Sequence, residues 1–372
     1  MSKISIQPQW SLIRAGRAQA MPKLLELLRA IDEEGSISAA ARKLCYSYRY
    51  AWGLIHDATR EFGAPLLVMS RGRRAILSLL GEKLVTADRR INARLAPLLD
   101  SLASELEAEI EGLHPGRESI LRVHASHGYA LELLRDFLLR KDIPVNLKYR
   151  GSMEALASLA SDGCDIAGFH VPLGVHQAVA LKFYTKWLNA ERHVLINLST
   201  RRQGIMVAPG NPMAILSLAD LTRPGLRFVN RQFGSGTRIL LDLLLKSEHL
   251  DSRKIAGYET GEFTHSGVAA YVASGLAHAG FGVEAGARKF NLDFIPVASE
   301  RYFLICNKDC LQTPMAATII DIVSSKQFRA EAAKLAGLDV AQAGTALTIG
   351  DAFPDLPPRK SERVKIKQVS SR

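Results

Sequence analysis

Between Met21 and Ile31 the apolar positions fall at Leu24, Leu25, Leu27, Leu28 and Ile31, close to the period of a helix with one buried face. Gly35 stops that helix, and Ser36 stands in N-cap position for a short second one carrying Ile37, Ala40, Ala41 and Leu44 on one side. Ser47 is the next capping candidate. Ala51, Ile55, Ala58 and Phe62 then recur at helical spacing, which predicts a third helix with Trp52 beside its inward stripe and Tyr48, Arg49, Gly53 and Asp57 off it. Two helices joined by a short turn, the second showing polar and aromatic groups from its first turn, is helix-turn-helix geometry. An arginine at Arg49 suits guanine edges, and Ser47 or Tyr48 can hold phosphate. After Pro65, LLVMSRGRRAILSLL reads as two apolar strands about a basic turn, a wing with Arg71, Arg73 and Arg74 at its tip.

From Gly81 to Gly112 the sequence has almost no helix breakers. Leu84, Ile91, Leu95, Leu98, Leu99, Leu102, Leu106 and Ile110 recur every three or four residues, so one long helix is predicted. Pro97 is expected to kink or divide it. With no domain around it in sequence, its stripe is expected to pack on the same helix of a second subunit, giving a homodimer or a dimer of dimers.

His114-Pro115-Gly116 marks a boundary. Beyond it SILRVHAS, VNLKYR and CDIAGFHV read as buried strands alternating with the helices GYALELLRDFLLRK and GSMEALASLASDG, the pattern of an α/β domain with parallel strands. A second cycle runs from near Gly204 through LRFVNR, the loop QFGSGTR and ILLDLLLKSEHL. A further helix follows, capped by Thr264 or Ser266, and FIPVASERYFLICNK returns the chain to strands. Gly234-Ser235-Gly236-Thr237 lacks the Gly-Lys-Ser/Thr ending of a nucleotide-phosphate loop, yet two hydroxyls in a glycine-rich turn at a helix start suit an oxyanion.

Charge changes the picture at the two ends. The chain carries +11 overall, of which residues 1–80 hold +6 and residues 357–372 hold +5, while the large middle is nearly balanced. Basic ends on a neutral body suggest a polyanionic partner for one part of the chain. No basic start leads into an apolar run and no apolar stretch reaches membrane length, so a cytoplasmic protein is expected. Cys45, Cys164, Cys306 and Cys310 are irregularly spaced, so free thiols, no structural zinc and no cofactor are expected. His124, His127, His170 and His265 lack HExxH spacing, and GSG is not the GxSxG elbow, which argues against an enzyme.

The run GSISAAARKLCYSYRYAW, with GAPLLV, the basic turn and LLGEKLV, resembles the winged-helix domain of ModE-type regulators and, more distantly, of LysR-type regulators, over roughly residues 4–90. Residues 118–345, through FVNRQFGSGTR and VASGLAHAGFGVEAGA, resemble the two-lobed periplasmic-binding-protein fold of molybdate-binding proteins and LysR effector domains. Ala277-His278 stands here where such relatives tend to have Ala-Asp. The resemblance implies a multidomain protein: a winged helix-turn-helix at 1–80, a linker and dimerisation helix at 81–113, a two-lobed α/β sensor at 117–345 and a flexible basic tail at 346–372. It implies an operator in double-stranded DNA faced by Ser47, Tyr48 and Arg49. It also implies a small anionic effector, an oxyanion such as molybdate or tungstate or a carboxylate such as formate, surrounded by Ser126, Ser152, His170, Ser235, Thr237, Thr264 and Tyr302. Simple helix capping is the competing role for each hydroxyl. A solute-binding protein or enzyme with an accessory DNA-binding segment is the alternative function.

Overall fold

The computed structural model describes residues 4–14, 17–69, 75–113 and 120–354. In chain order the elements begin with the hairpin β1 (Ser11–Arg14) and β2 (Arg17–Ala20), then α1 (Pro22–Glu34), α2 (Ile37–Lys43), α3 (Tyr48–Phe62), β3 (Leu67–Met69), β4 (Ala75–Leu77) and α4 (Leu79–Glu111). There follow β5 (Leu121–Ala125), α5 (Tyr129–Arg140), β6 (Val145–Tyr149), α6 (Ser152–Ala160), β7 (Ile166–Pro172), α7 (Gln177–Leu181), β8 (His193–Val207) and β9 (Phe228–Arg231). The chain continues through α8 (Gly236–Ser247), β10 (Gly261–Glu262), α9 (His265–Ala273), β11 (Ala279–Val283), α10 (Glu284–Lys289) and β12 (Asp293–Asn307). It closes with α11 (Pro314–Ser324), α12 (Lys326–Ala332), β13 (Leu338–Asp339), β14 (Ala346–Thr348) and α13 (Ile349–Ala352).

These elements form two compact units. The first comprises Met1–Arg117, Arg202–Phe233 and Leu241–Ala298, the second Glu118–Arg201, Gly234–Leu240 and Ser299–Arg372. In the first unit α1, α2 and α3 close on Leu27, Ile31, Ile37, Ala40, Ala51 and Ile55. The β3–β4 ladder pairs Leu67 with Leu77. The start of α4 is pressed against the carbonyl of Leu66, where a Cβ on Gly81 would come within 2.4 Å of that oxygen, so glycine is needed for the approach. Leu84 packs with Leu24, Leu28, Leu66 and Val85 in the winged-helix core and does not belong to the outward stripe. Trp52, expected beside the buried stripe, is 44% exposed. Elsewhere in this unit β9, β11 and the end of β8 pack Met206 and Val229 against Val268 and Val272 of α9.

α4 runs unbroken for 33 residues with Pro97 inside it, so the expected division does not occur. Leu98, Leu102, Leu106 and Ile110 are exposed along it, while Ala93, Ala103 and Ala108 are buried.

In the second unit β5 lies parallel to both β6 and β7, and β12 lies antiparallel to β7. Successive residues alternate between two apolar layers, as the strand period requires. Tyr302, Leu304 and Cys306 face the layer built by α5, α11 and α12, whereas Phe303 and Ile305 face the one built by α6, Tyr184 and Leu188. The tail boundary expected at residue 346 is corrected: β14 pairs with β8, and Ile349, Ala352 and Phe353 are buried in the second of these layers. Apolar side chains at those three positions supply the burial that holds the segment. The remainder, 355–372, lies outside the described residues.

Candidate functional site

The α2–α3 turn is built locally. Ser36 accepts a hydrogen bond from the Ala39 amide at 3.2 Å, and Ser47 accepts one from the Tyr50 amide at 3.1 Å, each satisfying a donor left open at a helix start. Cys45 takes a left-handed φ of 57° between them. Ser47 is therefore a cap, whatever else its exposed edge meets. Beyond it Tyr48 and Arg49 are exposed, and the Tyr48 and Trp52 rings stack at 6.5 Å with an interplanar angle of 14°. Arg71, Arg73 and Arg74, expected at the wing tip, lie outside the described residues.

The second unit gathers most of the expected sensor residues. In the β12–β7 register Tyr302 sits directly opposite His170, and the two rings stack at 3.8 Å. The Tyr302 hydroxyl donates to the Ser126 carbonyl at 2.6 Å, and the Ser126 hydroxyl lies 2.8 Å from His170 Nδ1. Gly168 makes this possible: a Cβ there would stand 2.9 Å from the Tyr302 hydroxyl and 2.6 Å from Ala125 Cβ. Ser152 is fully buried, accepts from the His170 amide at 3.4 Å and bonds the Tyr184 hydroxyl. Gly236 brings in the start of α8, since a Cβ on it would lie 3.5 Å from Ser152 Oγ and 3.6 Å from His170 Cβ. Ser235 caps α8 by accepting from the Arg238 amide at 3.2 Å, and Thr237 is buried in its first turn.

Capping therefore accounts for Ser235 but not for Ser126 or Ser152. The N-caps of α5 and α6 are Gly128 and Gly151, and both serines direct their hydroxyls at the strand carrying His170. Burial pushes the Tyr184 and Tyr302 phenols well above their usual value, so both remain neutral donors. Next to them Arg201 and Glu300 form a buried ion pair at 2.6 Å, with the guanidinium 5.8 Å from the Tyr302 ring. Sequence reasoning missed Tyr184 and this ion pair, because β8 has no helix-strand cycle of its own to signal it. The arrangement offers hydroxyls, an imidazole and helix N-termini to a small polar ligand. Among the described residues no group of histidine, cysteine, aspartate and glutamate side chains could hold a metal ion.

Thr264 requires a correction. It belongs to the first unit, is fully buried, and its hydroxyl is used twice there. It accepts from the Gly267 amide at 2.8 Å as the cap of α9, and it donates to the Ala93 carbonyl of α4 at 3.1 Å. That carbonyl would ordinarily bond the amide four residues on, but residue 97 is proline and has none. Next to it Arg94 pairs with the buried Glu262 at 3.0 Å. The threonine thus fastens α9 to α4 at the gap left by Pro97.

Comparison with known proteins then decides the family. The PBP superfamily domain model matches residues 136–324, half of the chain. The chain belongs to the PBP superfamily. Ahead of that PBP domain, residues 22–82 match the model of bacterial regulatory helix-turn-helix proteins of the lysR family, a model of regulators and not of enzymes. The PBP-superfamily chain is 32% identical over 203 residues to the uncharacterized protein YvgK of Bacillus subtilis (strain 168), covering 54% of this chain and 64% of that one. It is 38% identical over 87 residues to the molybdenum-pterin-binding protein MopB of Rhodobacter capsulatus, covering 22% of this chain and 32% of that one. It thus spans less than two thirds of either relative. Full-length CbnR complexed with its target DNA superposes with a TM-score of 0.37 at 16% identity, covering 80% of this chain and 96% of that one. No helix among the described residues is long and apolar enough to cross a membrane.

Proposed function

We propose that the chain is a one-component transcription regulator of the cytoplasm: α3 and its wing bind an operator in double-stranded DNA, and the hydroxyl cluster of the second unit binds a small oxyanion. The observation that carries this reading is the union in one chain of a lysR-family helix-turn-helix with a PBP domain. Ser47, Tyr48 and Arg49, with the wing arginines Arg71, Arg73 and Arg74, are the residues assigned to DNA. Ser126, Ser152, His170, Ser235, Thr237 and Tyr302 are those assigned to the ligand. Molybdate or tungstate is the first candidate, supported by similarity to a relative named for binding molybdenum-pterin. A small carboxylate such as formate is the second. Exposed Leu98, Leu102, Leu106 and Ile110 on α4 support dimerisation through that helix. The ligand alters DNA binding only to the extent that it favours one arrangement of the dimer over another.

Two measurements test this. A duplex selected from a random pool should lose roughly 1–3 kcal/mol of binding free energy on Arg49→Ala in a protein that still folds. Unchanged affinity would remove α3 as the reading element. A thermal-shift screen of molybdate, tungstate, sulfate and formate should show stabilisation by one class, and a flat response to all of them would refute the oxyanion site.

A further inference from the structure

We propose that the stacked Tyr48–Trp52 pair, with the gap beside it at Gly53, forms an apolar step on α3 that reads thymine methyl groups in the major groove. The inference rests on the DNA-binding reading above and goes beyond it by naming the base feature that is recognised. Tyr48 is 56% and Trp52 44% exposed, so two large rings one helical turn apart stay in water although the helix buries a stripe of its own at Ala51, Ile55 and Ala58. With centroids 6.5 Å apart and planes at 14°, the two rings form a stacked aromatic pair. Among the described residues, nothing in the packing requires this placement.

Gly53 is an independent sign. It sits in the interior of α3, where alanine would favour the helix, and a Cβ there would meet no atom within 4 Å. Contacts among the described residues therefore do not call for glycine at this position. A bare backbone next to Trp52 and one turn after Arg49 leaves room for something outside the chain to come close. Charge selects what that is, since Arg49 is exposed on the same element and residues 1–80 carry +6. In the major groove the C5-methyl of thymine is the apolar group that a base pair presents, and an aromatic step beside a guanine-reading arginine is suited to it.

The test uses the full-length protein and a duplex enriched from a random pool. Each thymine of the enriched site is replaced singly by uracil, which removes the methyl and leaves every hydrogen-bonding group in place. Loss of about fourfold in affinity is expected at one or two positions, the value of one buried methyl group. That loss should disappear in the double variant Tyr48→Ala with Trp52→Ala. Gly53→Ala should raise the melting temperature while weakening binding to the same site. Equal affinity for all uracil-substituted sites overturns the proposal using the native protein alone, whether or not the variants fold. A thymine-to-uracil contrast that survives in the double variant overturns the assignment to this pair. A sedimentation change in Trp52→Glu with unaltered DNA affinity would show that the rings pack on a second copy, and would overturn it as well. Failure to enrich any duplex sinks the DNA-binding reading first and this inference with it.

Discussion

Ser152 and Thr264 look alike in the sequence: each is a small hydroxyl residue at the turn from a strand into a helix. The structure uses them differently. Ser152 is the first residue of α6, whose cap is Gly151, and its hydroxyl reaches across to the His170 amide and the Tyr184 hydroxyl. Thr264 is itself the cap of α9, and its remaining hydrogen goes to a carbonyl orphaned by Pro97. What separates a ligand-binding candidate from a structural fastener is whether a second strand and a second helix start arrive at the same hydroxyl. At Ser152 they do, through His170 and Gly236; at Thr264 the arrival is a helix backbone in need of a donor.

Three experiments put that contrast under strain. The largest effect is expected from Ser152→Ala combined with Thr237→Ala, which removes two hydroxyl donors from the proposed oxyanion site. Hydrogen bonds to a charged ligand are worth ~1.5–3 kcal/mol each, so affinity for the stabilising oxyanion should fall by about a hundredfold or more. Calorimetric titration reads this, and an unaltered affinity in the folded variant would move the site away from the cluster. Thr264→Val should leave that affinity alone.

The next effect is structural. Thr264→Val removes a cap and leaves the Ala93 carbonyl unsatisfied, at a cost of ~2–3 kcal/mol measured by denaturant unfolding. Pro97→Ala restores an amide four residues beyond Ala93, so the same Thr264→Val change should cost about 1 kcal/mol less in that background. An additive double-mutant cycle would mean that the proline and the threonine are not linked.

The smallest effect concerns Glu262, which shares this junction. Burial, partly opposed by Arg94 and Arg90, holds its carboxyl above the usual value of 4.5. The folded chain therefore binds this proton more tightly than the unfolded chain. Its contribution to stability is full below 4.5 and is lost as pH rises through the raised value. Glu262→Gln should flatten that part of the stability profile, and Arg94→Ala should steepen it. Identical profiles for wild type and Glu262→Gln between pH 4 and 7 would contradict the assignment.

Much of the fold is legible without coordinates, for reasons that can be located. The stripes Leu24 to Ile31 and Ala51 to Phe62 announce α1 and α3, because helices that bury one face must repeat their apolar residues at helical spacing. Ser36 and Ser47 announce their caps, a local requirement met within three residues. The cycles SILRVHAS, GYALELLRDFLLRK and VNLKYR announce β5, α5 and β6 in the same way. β8 did not announce itself. It runs from His193 to Val207 and carries Asn197, Ser199, Arg201 and Gln203 into the interior, so its composition reads as a polar segment. Arg201 and Asn197 are tolerable there because partners distant in sequence meet them, Glu300 for Arg201 and Gln342 for Asn197.

The sequence by itself determined what lies within one turn or one stripe: the helix-turn-helix, its exposed Tyr48 and Arg49, the long apolar α4 and the strand-helix alternation. Periodicity and capping are short-range, so a few neighbouring residues are enough to specify them. The tertiary structure decided which hydroxyls meet. Ser126, Ser152, His170 and Tyr302 come from segments 18 to 176 residues apart, and the β7–β12 register and the absence of a side chain at Gly168 bring them together. It also decided that Thr264 answers to Pro97, 167 positions away, because a carbonyl without its helical donor must find another wherever the fold supplies one.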